Sequence, residues 1–295
     1  MTALLSFTQL SRSYGRNRVL EGLAFEVQPG EVVGLLGRNG AGKTTLLHLA
    51  MGLMRPDAGE VRVFGLDPFR EGVAVKRRVG FVSEDQVLPA GMRAEEVLEF
   101  HRWLFPDWDA ALERRLCDRF RFSPRTRVSA LSKGQARQLA LVCAVAHRPE
   151  LLLLDEPAGG LDPAARREFL ETSIQLLSES GTTIVFSSHH MTDVERMAGR
   201  VALLDGRRLR IDCPTDEVRE RHCLVTAQQD DPATAAGLEA LPGCLRVRRH
   251  LGALRAVCAG SAEEVGGRLR AAGLRAAATS VPLEELFIEL LGGEA

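Results

Sequence analysis

The chain has 295 residues, 45% of them hydrophobic and 26% charged, with a formal net charge of -1; this excludes a disordered chain and leaves room for one large domain and a smaller one. Near-neutral charge gives none of the overall basic field that duplex nucleic-acid binders carry, so no nucleic-acid partner is expected. The N-terminal stretch MTALLSFTQLSRSYG has no charged region followed by a long apolar core, and no segment reaches the length that spans a bilayer, so the chain is expected to be soluble by itself.

From Leu4 to Leu36 apolar and polar residues alternate, broken at Tyr14-Gly15 and Pro29-Gly30, a pattern of antiparallel strands leading into VVGLLG. That last strand runs into glycines and then a helix, TTLLHLAMGL, while GEVRVFG (59 to 65) and RVGFVS (78 to 83) predict short strands. Residues 91 to 147 read as helical, since EEVLEFHRWL and ALERRLCDRF carry apolar residues at three- to four-residue spacing. LLLLDEP then predicts a strand buried on both faces of a parallel sheet, its acidic pair exposed at the C-terminal end. A helix over 164–179, ended by Gly181, and a strand TTIVFSS follow, and VALLDGRRLRI predicts a hairpin across Asp205-Gly206, a pair suited to a type I′ turn.

Beyond Pro214 the character changes: the segment has no lysine and many Ala and Arg residues. Strand CLVTAQ, helix PATAAGLEAL, strands CLRVRR and ALRAVCA, helix AEEVGGRLRAAG, strand RAAATSV and helix LEELFIELL give the order β-α-β-β-α-β plus one helix. This predicts a small ferredoxin-like domain over 214–295 behind a larger unit over 1–213, the alternative being an extension of the first domain. The six cysteines, Cys117, Cys143, Cys213, Cys223, Cys244 and Cys258, form no C-x-x-C pair, which argues against a zinc site and for reduced thiols used as small hydrophobes.

The chemistry is concentrated in three stretches. GRNGAGKTT (Gly37, Arg38, Asn39, Gly40, Ala41, Gly42, Lys43, Thr44, Thr45) matches G-x-x-x-x-G-K-[ST] between a predicted strand and a predicted helix. Its backbone N–H groups can wrap phosphates, Lys43 can reach the terminal ones, and Thr44 can give its hydroxyl to magnesium. In LLLLDE, Asp155 at the strand end can hold the magnesium shell and Glu156 can polarise a water. His189 in FSSHHMTDVE lies just past another strand end, where it can touch a terminal phosphate, with His190 beside it as a competing choice. LSKGQ (Leu131, Ser132, Lys133, Gly134, Gln135), at a helix start behind Arg125 and Arg127, has the unpaired N–H groups and dipole of an anion site.

Taken in order, the phosphate loop, LSKGQ, LLLLDEP, GGLDP and FSSH resemble the ATP-binding-cassette (ABC) ATPase family across residues 3 to 213. The resemblance implies an α/β P-loop NTPase cassette: a mixed-sheet core, an antiparallel β subdomain and a helical subdomain over about 88–147, here with a small α+β C-terminal domain. It implies a signature usually written LSGGQ, with Lys133 in place of its first glycine, and an adenine-stacking aromatic at Tyr14. The family's Q-loop glutamine falls on Glu84, with Gln86 as the other candidate, and a carboxylate there can also ligate magnesium. FPDWD (105 to 109), the lysine in the signature, FSSH with DVER, and the tail VPLEELFIELLGG are similar to cassettes of ABC-2 type drug and cell-envelope-stress exporters.

The mechanism implied is a head-to-tail pair of cassettes, as a homodimer or a heterodimer, enclosing two ATP molecules with Mg2+. Each ATP lies between one subunit's phosphate loop and its partner's LSKGQ, Glu156 and His189 act in hydrolysis, and Asp162 couples the two sites. A separate transmembrane permease subunit is the expected partner, which would place the chain in the cytoplasm on the inner face of the membrane. A soluble ABC ATPase acting on DNA or ribosomes is the competing reading; such proteins generally carry two cassettes or a long coiled-coil insert, and this chain has neither. A phosphate-loop small-molecule kinase leaves LSKGQ and GGLDP without a role.

Overall fold

A computed structural model describes residues 3–85, 88–161, 166–167, 169–173, 181–228, 231–280 and 283–291. It divides into two compact units, 1–211 and 212–295, a boundary two residues earlier than the change of composition at Pro214.

The first unit contains two sheets. Strands β1 (Leu5–Tyr14), β2 (Asn17–Val27) and β4 (Ala58–Val63) form an antiparallel sheet in the order β2-β1-β4. Its alternating residues put Leu5, Phe7 and Leu10 in the core opposite Val27, Phe25 and Leu23, with Phe7 and Phe25 stacked at 6.2 Å. Strands β3 (Val32–Leu36), β5 (Val79–Val82), β6 (Leu151–Leu154), β7 (Thr183–Ser188), β8 (Arg200–Asp205) and β9 (Arg208–Pro214) form a six-stranded sheet ordered β5-β6-β7-β3-β8-β9. β5, β6, β7, β3 and β8 are parallel. Each of the four leucines of β6 is buried, as a strand covered on both faces requires. Because β6, β7 and β3 are neighbours, the segments that leave their C-terminal ends emerge side by side, the usual place for a ligand in such a sheet.

The hairpin after β8 turns on Gly206 and Arg207, with φ of 55° and 73°. The expected Asp205-Gly206 pair is therefore corrected by one residue: Asp205 ends the strand, and Arg207 takes the second positive-φ place of a I′ turn.

Helix α1 (Lys43–Ala50) follows the phosphate loop, and a short α2 (Gly72–Lys76), absent from the sequence reading, precedes β5. The helical stretch comprises α3 (Ala94–Leu104), α4 (Ala110–Phe120), a 3-10 turn (Val128–Ala130) and α5 (Lys133–Val145). FPDWD joins α3 to α4. Asp109 caps α4 by accepting from Ala111 N and Leu112 N and pairs with Arg148; Phe105 stacks on His147 at 4.0 Å. Trp108 Nε1 donates to the buried Glu113 carboxylate at 2.7 Å, which also receives Arg102 at 2.8 and 2.6 Å. Burial alone raises the Glu113 pKa, but Arg102 and Trp108 outweigh it and hold the carboxyl below its ordinary value. The expected helix over 164–179 falls largely outside the described residues, although 169–173 are helical.

In the second unit, β10 (His222–Ala227), β11 (Cys244–His250), β12 (Ala253–Ala259) and β13 (Ala277–Thr279) form an antiparallel sheet ordered β11-β12-β10-β13. Helices Pro232–Glu239, Ala262–Ala271 and Leu283–Leu291 alternate with these strands as the sequence order has them, and a further helix, Thr215–Arg221, precedes β10. Its core joins Val225, Leu238, Leu254 and Leu269 with the buried thiols of Cys223 and Cys258.

Candidate active site

The loop from β3 to α1 is bent by glycines that no other residue replaces without strain. Gly42, the α1 N-cap, has φ of 105°, and a Cβ there would lie 2.8 Å from Leu20 Cδ2; at Gly37 a Cβ would lie 2.7 Å from the Leu204 carbonyl oxygen. The loop borders a cavity of about 450 Å³ lined by Tyr14, Asn17, Val19, Arg38, Asn39, Gly40, Gly42, Lys43, Thr44, Thr45, Glu84 and Glu156. That volume matches small-ligand sites in general. Its lining is polar at the loop and apolar at Val19.

Lys43 is buried at the first position of α1, with Nζ donating to the Gly37 carbonyl at 2.7 Å and lying 3.3 Å from Glu156 Oε1. A buried ammonium beside the N-terminus of a helix favours an anion strongly, because both fields have the same sign. Glu156 is 7% exposed, and its Oε2 lies 2.9 Å from His189 Nδ1. The carboxylate therefore sits between a lysine and an imidazole, at the ends of β6 and β7. Glu156 has φ of 42°, a conformation costly for a non-glycine residue and common where a side chain is aimed at a site. His190 lies 4.0 Å from the His189 ring; burial, then the His189 and Arg166 charges, hold its pKa below the ordinary imidazole value.

Asp155 is 1% exposed. Its Oδ1 accepts from Ser187 Oγ at 2.7 Å, and Oδ2 has no hydrogen-bond partner. An orphaned buried carboxylate oxygen at the end of a strand is expensive unless a cation or its water shell completes it, so Asp155, with Thr44 in the cavity wall, fits a magnesium ion. Among the described residues no group of three or more His, Cys, Asp or Glu side chains is arranged to hold a metal. An ion here would take most of its ligands from phosphates and water, which suits magnesium.

Tyr14 ends β1 at the cavity rim, 47% exposed, its hydroxyl 3.4 Å from Thr45 Oγ1 and the Arg12 guanidinium 5.3 Å from its ring centre. Glu84 lies in the cavity wall. LSKGQ is not brought there: none of Leu131, Ser132, Lys133, Gly134 and Gln135 lines the cavity. Ser132 caps α5, accepting from Gln135 N at 3.2 Å, while Gln135 Oε1 accepts from Ser132 N at 3.0 Å. Asp162 and Gln86 lie outside the described residues.

Two residues at the site escaped the sequence reading. Ser187 donates to Asp155 and accepts from the Glu156 N–H at 2.8 Å. The parallel register of Leu154 with Phe186 puts a hydroxyl beside the acidic pair, a signal available from the two motifs once the strands are taken as neighbours. Arg137, on α5, donates to the backbone carbonyls of Glu156 at 2.7 Å and Glu84 at 3.4 Å, and nothing in its sequence neighbourhood marks it.

Residues 20–159 match the family described as ABC transporter. The Nod factor export ATP-binding protein I of Rhizobium etli is 34% identical over 304 aligned positions, spanning 100% of this chain and 95% of that protein. The bacitracin transport ATP-binding protein BcrA of Bacillus licheniformis is 30% identical, over 75% of this chain and 73% of its own length. Among solved structures, an ATP-binding subunit of an ABC transporter superposes with a TM-score of 0.67 at 30% identity, covering 73% of this chain and 92% of that one. A dimeric bacterial ABC transporter cassette, MJ0796, shares the fold, with a TM-score of 0.64 at 21% identity over 72% of this chain and 98% of that one.

Proposed function

From a chain that belongs to the ABC transporter ATP-binding family, we propose an ATPase subunit that powers export through a separate transmembrane permease, in the manner that the names of its Nod factor and bacitracin relatives describe. The family's enzymes hydrolyse ATP with Mg2+, and its cassettes dimerise and work with transmembrane subunits. Among the described residues no helix is long and apolar enough to cross a membrane, and in this reading the pore is a separate permease subunit. The observation that carries the reading is the junction of Lys43 with Glu156 on the wall of the phosphate-loop cavity, with His189 hydrogen-bonded to that carboxylate.

In this reading the glycine loop and Lys43 bind the β- and γ-phosphates and Tyr14 stacks on the adenine. Glu156 takes a proton from the attacking water, and His189 holds that carboxylate in place and touches the γ-phosphate. Asp155 and Thr44, with Glu84 in reach, would hold magnesium, which supplies charge neutralisation on the phosphates. Lys43 is engaged with Gly37 and Glu156; an arriving γ-phosphate would exchange these contacts for its own. The C-terminal unit is an accessory ferredoxin-like domain.

None of the LSKGQ residues lines its own chain's cavity, which supports a signature serving a partner's ATP in a head-to-tail dimer, most simply a homodimer. Lys43→Ala disables the loop and Ser132→Arg the signature. If the signature acts across the interface, a mixed dimer keeps one intact site; if it acts within its chain, both are damaged. In a Glu156→Gln background the mixed dimer should trap one nucleotide, and mixed dimers that form yet trap none would sink the shared-site reading.

A further inference from the structure

Three of the cysteines share one row of the C-terminal sheet. Cys258 on the central strand β12 is the direct partner of Cys244 on the edge strand β11 and of Cys223 on β10. Cys223 and Cys258 are fully buried and Cys244 is half-buried. A row of thiols in a core is ordinary packing until the register is examined, because an antiparallel ladder alternates between wide and narrow pairs.

The hydrogen bonds distinguish the two neighbours of Cys258. Ala259 N donates to the Gly243 carbonyl at 2.8 Å, and Cys244 N donates to Leu241 rather than across the strands; Cys244 and Cys258 are therefore a non-hydrogen-bonded pair. On the other side Gly260 N donates to the Arg221 carbonyl at 2.7 Å, which makes His222 and Ala259 the narrow pair and Cys223 and Cys258 the wide one. Narrow pairs hold their Cα atoms about 4.5 Å apart with side chains closer than in wide pairs, inside the range of about 4.4–6.8 Å that a disulfide needs. We propose that Cys244 and Cys258 are an oxidation site, a cross-strand thiol pair that hydrogen peroxide closes into a reversible intrachain disulfide.

The pair is asymmetric in the sense such chemistry needs. Hydrogen bonding from the Cys258 side chain, the largest influence, and from the Arg246 N–H at the β11 bulge lowers the Cys244 pKa against burial and the Glu239 charge. The same contact, together with burial, pushes Cys258 up. The half-buried Cys244 is thus the attacking group, since the thiolate is the nucleophile. Its sulfur attacks peroxide, forming an S–O bond and breaking O–O, with hydroxide leaving as water. The Cys258 sulfur then attacks the sulfenic sulfur, forming S–S as S–O breaks, and its proton leaves with that oxygen as a second water. Two thiols are oxidised by two electrons and one peroxide is reduced to two waters. The edge strand β11 becomes covalently tied to the strand beside it.

The test is peroxide treatment of the folded full-length chain, followed by thiol counting and non-reducing peptide mapping. The expected result is a fall from the six thiols of the chain to four, a Cys244–Cys258 linked peptide within one chain, and recovery of six with dithiothreitol. Cys223→Ala should still form the link, whereas Cys258→Ala should stop at a sulfenic acid on Cys244 that dimedone captures. Six thiols persisting in the folded chain, a link through Cys223, a link between chains, or a 244–258 link that forms only in urea would each overturn the proposal.

Discussion

Glu156→Gln separates the chemical step from nucleotide binding at the point where the site is most compact. The amide keeps the shape of the side chain and leaves an oxygen facing Lys43 Nζ, which lies 3.3 Å from the carboxylate, and a polar partner for His189 Nδ1 at 2.9 Å. It removes the proton acceptor. With the residue 7% exposed and φ at 42°, an isosteric change opens no cavity and asks nothing new of the backbone, so stability should change little. Positioned bases typically contribute ~10²–10⁴-fold. Hydrolysis should therefore fall by a factor of about 10² or more, equivalent to at least about 2.7 kcal/mol on the barrier. ATP affinity should stay near wild type, because the phosphate loop, Lys43 and Tyr14 are untouched. Phosphate release and titration with a fluorescent ATP analogue on one preparation give both quantities. Full turnover would remove Glu156 from the mechanism, and loss of ATP binding in step with turnover would refute the separation of roles.

Tyr14→Ala removes the exposed ring at the cavity rim and should weaken ATP affinity by about 1–3 kcal/mol, read by nucleotide titration, with Tyr14→Trp retaining it. Arg137→Met removes the donors to the Glu156 and Glu84 carbonyls; hydrolysis should fall roughly tenfold with the KM for ATP little changed, and Arg137→Lys should recover part of the loss. Glu113, held below its ordinary value of 4.5 by Arg102 and Trp108 against burial, contributes stability that is present above pH 4.5 and lost as pH falls through its lowered folded value. Melting curves between neutral and acid pH should therefore show a shallower acid decline for Glu113→Gln than for wild type.

The parts of the site that the sequence reveals are those made of consecutive residues. A phosphate loop needs glycines at fixed offsets because the backbone itself is the ligand, so GRNGAGKTT is readable without a fold, and four leucines before an acidic pair identify a doubly covered strand and its functional end. Ser187 and Arg137 are different: each acts through a contact with residues 31 and 19 positions away along the chain, and only the strand order and the packing of α5 bring those residues together. The hairpin error is of the same kind. Asp205-Gly206 is a favourable dipeptide, yet where β8 ends and β9 begins decides which two residues turn, and Gly206 and Arg207 lie between them.

LSKGQ adds a constraint that neither its residue types nor one chain's cavity states alone. Its serine and glutamine are spent on each other as a capping box, which would appear to disqualify Ser132 as a phosphate ligand. A hydroxyl, however, has one donor as well as its acceptor lone pairs. Ser132 accepts from Gln135 N through a lone pair, and its O–H can still point outward to an anion without unmaking the cap. An anion arriving there meets a helix start already held by the Ser132–Gln135 capping box, with the exposed Lys133 as its next residue. Where the signature serves a partner's ATP, as proposed, closure of two cassettes does not have to order this turn, and more of the ATP contact energy remains to hold the subunits together.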